Sequence, residues 1–431
     1  MSELAKVRAR LRELEEAAGC VHPVRLFGHR LDPATGEYWQ GALKVACKDR
    51  RSAICPACAA RYRDDAWHLV FAGLKGGKGV PDSVAGHPMV FATLTAPSFG
   101  AVHALRKGPC RPRRKDPRCP HGTPLSCAER HGADDPVIGE PLCPECFDYV
   151  GAVLWNAHVG RLWKRTAQLL HHELARGSGR PVRKVREEVR VSYVKVAEFQ
   201  RRGLVHLHAL VRADGPTGPC SSPPPWLTDG LLEAAVTSAA RRAQVERVDG
   251  RGTVSWGREV DAVALGSAGD GAELALAARY LAKYAVKGSE STGALARRLT
   301  SLAELRRLGL PQHPARLAET AWRLGTRRDL GALRLRAHAH TFGYRGHFAT
   351  KSQRYSTTFG ALREARAAYR RPAEEVESDF RYAGRGYATP GTARLAEVLA
   401  GEQRHLRRAV PGGAPSSAPP GSPRPYQGER A

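Results

Sequence analysis

The stretch Val189 to Arg212, VRVSYVKVAEFQRRGLVHLHALVR, constrains the chain more than any other. Val and aromatic residues fill Val189 to Phe199, and Gln200-Arg201-Arg202-Gly203 supplies turn chemistry. Leu204 to Val211 is apolar again, so the stretch reads as two strands around a tight turn. Side chains alternate between the two faces of a strand. Val205, Leu207, Ala209 and Val211 therefore form one apolar face, and His206 and His208 stand together on the other. Two imidazoles on one strand face are a ready-made pair of divalent-metal ligands. A pair of partly exposed histidines would show the same spacing.

Composition decides what surrounds that pair. A chain of 431 residues with 42% hydrophobic content allows two or three domains with real cores. Its formal charge is +26, carried mostly by arginine, whose planar guanidinium suits bidentate phosphate contacts. Such a balance attracts polyanions, so nucleic acid is the expected partner, ahead of an acidic membrane surface. No apolar run approaches the ~18 residues of a membrane span. The opening MSELAKVRARLRELEEAAG reads as a charged amphipathic helix without the apolar core of a signal peptide, so a cytoplasmic location is expected. Ten cysteines in a reducing compartment point to metal before disulfides.

Those cysteines fall into two groups. Cys55 and Cys58 form a Cys-Pro-Ala-Cys knuckle that bends the backbone around one tetrahedral zinc, and Cys20 and Cys47 complete the set, with His22 or His68 as substitutes. A redox role for the knuckle lacks the surrounding βαβ pattern. Cys119, Cys127, Cys143 and Cys146 form the second expected site, with Cys110, His121 and His131 as alternatives. The segment Lys107 to Glu140 is full of Pro, Gly and Arg and builds no core unaided, so metal would hold it, contributing on the order of 10 kcal/mol. Four thiolates leave no open position for chemistry, so both zinc ions are structural.

Pro88 to Thr95 (PMVFATLT) has a buried-strand pattern, Tyr149 to Glu173 a helical one, and Thr253 to Leu265 that of a further strand. Glu273 to Lys287 (ELALAARYLAKYAVK) is built of strong helix formers. Tyr280 and Tyr284, four apart, share one helical face, with Lys283 and Lys287 beside them. Tyrosines packed in a core would give the same spacing. Residues 294–340 look helical and Arg-rich, and His347 to Thr358 mixes basic, hydroxyl and aromatic groups. Lys351 and Arg354 there, with Arg345 just before it and Lys287, are expected phosphate contacts, though a solvated basic face reads equally well.

Three segments, in order, resemble the motifs of the HUH endonucleases that initiate rolling-circle replication. Phe91-Ala92-Thr93-Leu94-Thr95 is similar to their first motif, His206-Leu207-His208 to their metal motif, and Tyr280-Leu281-Ala282-Lys283-Tyr284 to the catalytic-tyrosine helix of the two-tyrosine initiators. Flanking stretches such as LCPECFDYVGAVLWNAH and RGHFATKSQRYSTT resemble the replication initiators of actinobacterial plasmids and integrative conjugative elements, over roughly 20–365. A His-x-His alone is a weak signal; the ordered set with these flanks is specific.

The resemblance implies an α+β fold: a central antiparallel sheet with helices packed on it, interrupted by a zinc-binding insertion at about 107–147. It implies Mg²⁺ or Mn²⁺ on His206, His208 and, as third ligand, Glu198. A regular four-residue turn would set Ala197 opposite His206, whereas a bulge or a three- or five-residue turn would bring Glu198 to the ligand face. It further implies attack by Tyr280 on one origin strand, assisted by Lys283, giving a 5′-phosphotyrosine and a free 3′-hydroxyl, with Tyr284 as second nucleophile and rejoining at termination. Partners would be single- and double-stranded origin DNA and a host helicase and DNA polymerase, since the chain carries no GxxxxGK[ST] loop of its own. A mobilisation relaxase or transposase would use the same chemistry. A non-catalytic zinc-stabilised DNA-binding regulator, or a metallohydrolase that uses water, would form no covalent adduct. The expected division is 1–80 (helix and zinc module), 84–290 (endonuclease), 291–400 (basic helical region) and a disordered tail at 401–431.

Overall fold

The computed structural model describes residues 3–409 except 34, 114, 116, 267–270, 288–294, 296 and 371–376. The chain opens with α1 (Glu3–Glu16), the strands β1 (Val24–Leu31) and β2 (Tyr38–Val45), α2 (Pro56–Lys75) and β3 (Met89–Leu94). After a long irregular segment come α3 (Tyr149–Ser178), α4 (Val182–Glu188), β4 (Arg190–Phe199) and β5 (Val205–Asp214). Then follow α5 (Asp229–Arg242), β6 (Gln244–Glu246), β7 (Thr253–Ser255), β8 (Val260–Ala264) and α6 (Gly271–Ala285). The last described elements are α7 (Leu302–Arg307), α8 (Gln312–Leu324), β9 (Ala349–Lys351), α9 (Phe359–Arg370), β10 (Glu377–Arg385) and α10 (Pro390–Ala409). Among the described residues no helix is long and apolar enough to cross a membrane.

Two compact units result. One comprises Met1–Val70, Ala285–Lys287 and Thr357–Ser416; the other comprises Phe71–Tyr284 and Gly288–Ser356. This differs from the linear division expected above. The basic region 291–400 is not one body: its first part belongs with the central sheet, and its last part returns to the N-terminal module. The reason is strand pairing, because β10 runs antiparallel beside β1 along Val24 to Leu31. Gly28 permits that approach, since a Cβ there would collide with the Asp379 carbonyl. Leu14 of α1, Ala17 just after it, Tyr387, and Ala396 and Ala400 of α10 pack with Cys20, Cys55 and Cys58 in a small core. The tail expected from 401 is helical to Ala409; its remainder lies outside the described residues.

The larger unit is built on a five-stranded sheet in the order β8-β3-β5-β4-β9. Every pairing is antiparallel, as expected for the α+β class. The central strands are rich in Val and Leu, which suits a doubly covered sheet. One face carries Leu94, Ala197, Phe199, Val205, Leu207 and Val211, buried in one core with Val153, Trp155 and Leu162 of α3. Each such aliphatic side chain contributes about 1.5–3 kcal/mol by leaving water. Helix α3 begins where Asp148 accepts from the Gly151 N–H at 2.7 Å and ends at Gly179, whose φ is 67°. The single strand expected over Thr253 to Leu265 is two, because β7 pairs with β6 whereas β8 pairs with β3. At the break, the Gly257 N–H donates to the Thr95 carbonyl at 2.8 Å. Trp256 turns inward there and donates to Thr166 Oγ1 at 2.9 Å.

The turn of the β4–β5 hairpin is held from several sides. Asn156 of α3, fully buried, donates to the carbonyls of Gly203 at 2.9 Å and Phe342 at 3.2 Å, and accepts from the Val205 N–H at 3.1 Å. Arg202 donates to the carbonyls of Ala96 and Pro97, and its own carbonyl accepts from His313 Nε2 at 3.0 Å. At the hairpin's other end, the buried Arg212 and Asp214 form a bidentate pair at 2.6 and 3.1 Å. Ser192 and His87 satisfy the same carboxylate, so neither charge is left uncompensated.

Candidate active site and metal-binding clusters

The face of the central sheet opposite α3 carries the polar groups. Five residues, Gln200 to Leu204, close the hairpin: Gln200 N–H donates to the Leu204 carbonyl at 2.9 Å and Gly203 N–H to Gln200 at 2.8 Å. That length sets Glu198 directly opposite His206, one of the arrangements the turn left open, and Val196 opposite His208. Glu198 Oε2 lies 3.4 Å from His208 Nε2, and the two imidazole centroids are 4.7 Å apart. On the next strand Thr93 pairs with His208, its hydroxyl 3.3 Å from Nδ1. A proton on Nδ1, donated to Thr93, leaves the Nε2 lone pair free on the Glu198 side. His206 Nδ1 is buried without a hydrogen-bond partner among the described residues. Burial, then the neighbouring His208 and Arg202, hold the His206 pKa well below the usual range, so its ring is neutral and able to ligate. These features fit a divalent cation.

Helix α6 covers this face with both tyrosines. The Tyr280 and Tyr284 rings each lie 5.1 Å from His208, one edge-on and the other stacked, and 4.7 Å from each other. Phe91 supports Tyr280 at 5.7 Å. Burial raises the pKa of Tyr280, the bond from Tyr284 opposes that rise, and Glu198 adds to it. Tyr284 is raised by burial, by Glu198 and by Tyr280. Lys283 Nζ sits 5.6 Å from the Tyr284 ring.

Among the described residues, three groups of Cys and His have metal-site geometry. Cys20, Cys47, Cys55 and Cys58 converge as the spacing suggested, with sulfurs 3.7 Å apart for Cys47–Cys58 and 3.9 Å for Cys20–Cys55. The second group is Cys119, His121, Cys143 and Cys146, with His121 Nδ1 3.3 Å from Cys146 Sγ and 3.7 Å from Cys143 Sγ. Burial raises the Cys119 thiol, but the N–H groups of His121 and Thr123 outweigh it and bring it to about 6, towards the thiolate a metal needs. Cys127, expected here, stands elsewhere. It forms a third group with His103, Cys110 and His131, where His131 Nε2 lies 3.5 Å from Cys127 Sγ and 3.2 Å from His103 Nδ1. Asp135 Oδ2 accepts from His131 Nδ1 at 2.8 Å, the carboxylate–histidine support common at zinc. The regrouping follows from a backbone bridge between Arg111 and Cys127, which sets Cys127 beside Cys110. So the cysteines form three candidate zinc sites rather than two, and His103 was the ligand that spacing did not reveal.

Residues 6–401 match the family model described as replication initiator protein, pSAM2. The chain belongs to this replication initiator family. A replication initiator protein of Streptomyces ambofaciens is 41% identical over 424 residues, covering 90% of this chain and 88% of that one. No solved structure matches.

Of the expected DNA contacts of this family member, Arg345, Lys351 and Arg354 belong to the unit of the central sheet and Lys287 to the other. Arg345 donates to the Ala332 carbonyl at 2.6 Å, and Lys351 Nζ lies 3.3 and 3.1 Å from the carbonyls of Ser352 and Gln353. Arg354 is exposed. Lys287 falls in the unit of the chain termini, where its carbonyl accepts from Arg50 at 2.6 Å. Thr93, which orients His208, and Asn156, which pins the turn, went unremarked in the sequence. Thr93 lies in a motif already singled out, but nothing in the sequence distinguishes Asn156 from any other polar residue of an amphipathic helix.

Proposed function

We propose that this protein is a rolling-circle initiator that nicks one strand of its origin through Tyr280 and rejoins it at termination. The observation that carries the reading is the meeting of two tyrosines, two histidines and Glu198 on one sheet face, both rings 5.1 Å from His208. His206, His208 and Glu198 would hold Mg²⁺ or Mn²⁺, which when bound polarises a phosphate and favours phenolate over phenol. The Tyr280 oxygen attacks phosphorus, the bond to the 3′ oxygen breaks, and the phenolic proton is balanced by the one gained at the departing 3′-hydroxyl. The phosphodiester is kept as a 5′-phosphotyrosine, so rejoining needs no nucleotide hydrolysis. Lys283 supplies positive charge beside the tyrosines. Tyr284, one helical turn on, serves as second nucleophile.

The three clusters hold structural zinc, which in the insertion takes the place of a hydrophobic core. Single- and double-stranded origin DNA are the substrates in this reading, a host helicase and DNA polymerase the partners, and the cytoplasm the setting. The test is incubation with a single-stranded origin oligonucleotide and Mn²⁺, followed by a denaturing gel. A protein–DNA adduct that disappears in Tyr280→Phe supports the proposal. Tight binding without any adduct would favour a non-catalytic regulator, and cleavage without an adduct would favour a hydrolase.

A further inference from the structure

The unit formed by the two ends of the chain contains a cavity of about 310 Å³ beside the first cysteine cluster. Its wall is made by Cys58 and four alanines, Ala57 and Ala367 among them, whose small side chains leave the space open. Tyr62 closes one side and is itself stacked on Phe359 at 4.8 Å. Four cations, Lys48, Arg61, Arg363 and Arg366, line the same space against one carboxylate, Asp65. That carboxylate is already engaged by Arg366 at 2.8 Å. Lys48 and Arg61 are exposed and have no ion-pair or hydrogen-bond partner among the described residues. Arg363 uses only its Nε, donating to the Phe359 carbonyl at 2.9 Å, so its terminal nitrogens remain available.

A cavity walled by alanines and an aromatic ring, with cations at hand that lack partners, selects a ligand with an apolar part and an anionic part. The volume lies at the small end of the about 300–1,000 Å³ range of small-molecule sites. We propose that this cavity binds one nucleotide unit, the base between the alanines and Tyr62 and the phosphate on Lys48, Arg61 and Arg363. The site goes beyond the nicking reading, since it uses none of the residues placed in that chemistry. The same chemistry is presented by a free mononucleotide and by a nucleotide of a DNA strand.

The test is calorimetric titration of the full-length protein with dAMP, deoxyadenosine and inorganic phosphate at low salt. The expected result is measurable dAMP binding, at least about tenfold weaker binding of either fragment, and about tenfold weaker dAMP binding in each of Arg61→Ala and Lys48→Ala. Both residues are on the surface, and zinc content by elemental analysis verifies that the cluster is intact in the variants. Displacement of dAMP by a short single-stranded oligonucleotide assigns the site to DNA, and its absence assigns it to a free nucleotide. Nicking by both variants should equal wild type, so a failure of the nicking reading leaves this result unaffected. Equal dAMP binding by wild type and both variants, or no binding at all, would overturn the proposal and leave the cations as counter-charges to the neighbouring thiolates.

Discussion

Asn156 is the place where hydrogen bonding and packing make opposite predictions. Its amide satisfies three buried backbone groups, the carbonyls of Gly203 and Phe342 and the N–H of Val205, and its side chain is fully buried. Each such group left unpaired costs about 1–3 kcal/mol. Asn156→Leu fills the space, excludes water and strands all three, so the expected loss is about 3–5 kcal/mol once partial relaxation is allowed. Asn156→Ala opens room for a water that can bridge some of them, so its loss should be no greater, although it removes more atoms. If packing dominated, Leu would be the milder change. Urea unfolding of both variants, followed by tryptophan fluorescence, decides between the two. Glu198 and His206 depend on the same turn for their register, so Asn156→Leu should also lower the nicking rate while leaving binding to duplex origin DNA unchanged. A Leu variant within about 1 kcal/mol of wild type would refute the reasoning.

Other consequences are as direct. Tyr280→Phe should abolish adduct formation, whereas Tyr284→Phe should nick once and release few closed circles; wild-type circle yields from Tyr284→Phe would make Tyr280 the lone nucleophile. Elemental analysis should find three zinc ions per chain, and Asp135→Ala should weaken metal retention at the His103, Cys110, Cys127 and His131 cluster by about 10–100-fold; two zinc ions in wild type would remove that cluster from the account. His313 is buried and donates from Nε2 to the Arg202 carbonyl, while its Nδ1 lies 3.2 Å from the Tyr149 hydroxyl. Burial lowers its pKa to about 4 from an ordinary 6.5. Between those values the unfolded chain takes up a proton that the folded one does not, so stability should fall as pH drops from 6.5 to 4, by about 3 kcal/mol in total. Urea midpoints of His313→Gln should show a smaller acid loss than wild type, and equal losses would exclude His313 as the source.

Wherever one face is buried with a clear period, the sequence was legible. The strands around Phe91 and Leu207, the helix from Tyr149 and the tyrosine helix all announce themselves by Val, Leu and Trp at strand or helix spacing. Glu198 was legible as a residue but not as a neighbour of His206, because one residue more or less in the turn moves it to the other face. Cys127 was misgrouped because cysteine spacing carries no information about the Arg111 bridge. The sheet of β1, β2 and β10 escaped notice for a different reason. β10 is largely exposed and lacks the alternation that betrays a half-buried strand, so only its distant partner makes it one.

That distant partner has a consequence in time. A ribosome delivers β1 and the Cys55–Cys58 knuckle before the central sheet, but the strand that flanks β1 and the helix that packs on α1 leave the tunnel only after everything between has been made. At about 5–20 residues per second the wait is tens of seconds. A module begun before the central sheet is therefore completed after it, and that sheet can fold while the module is still open. A chain broken off before Glu377 would carry all the residues of the nicking face yet lack a finished end unit. Any task of that unit is thereby restricted to polypeptides that have been read through β10 and the packed part of α10.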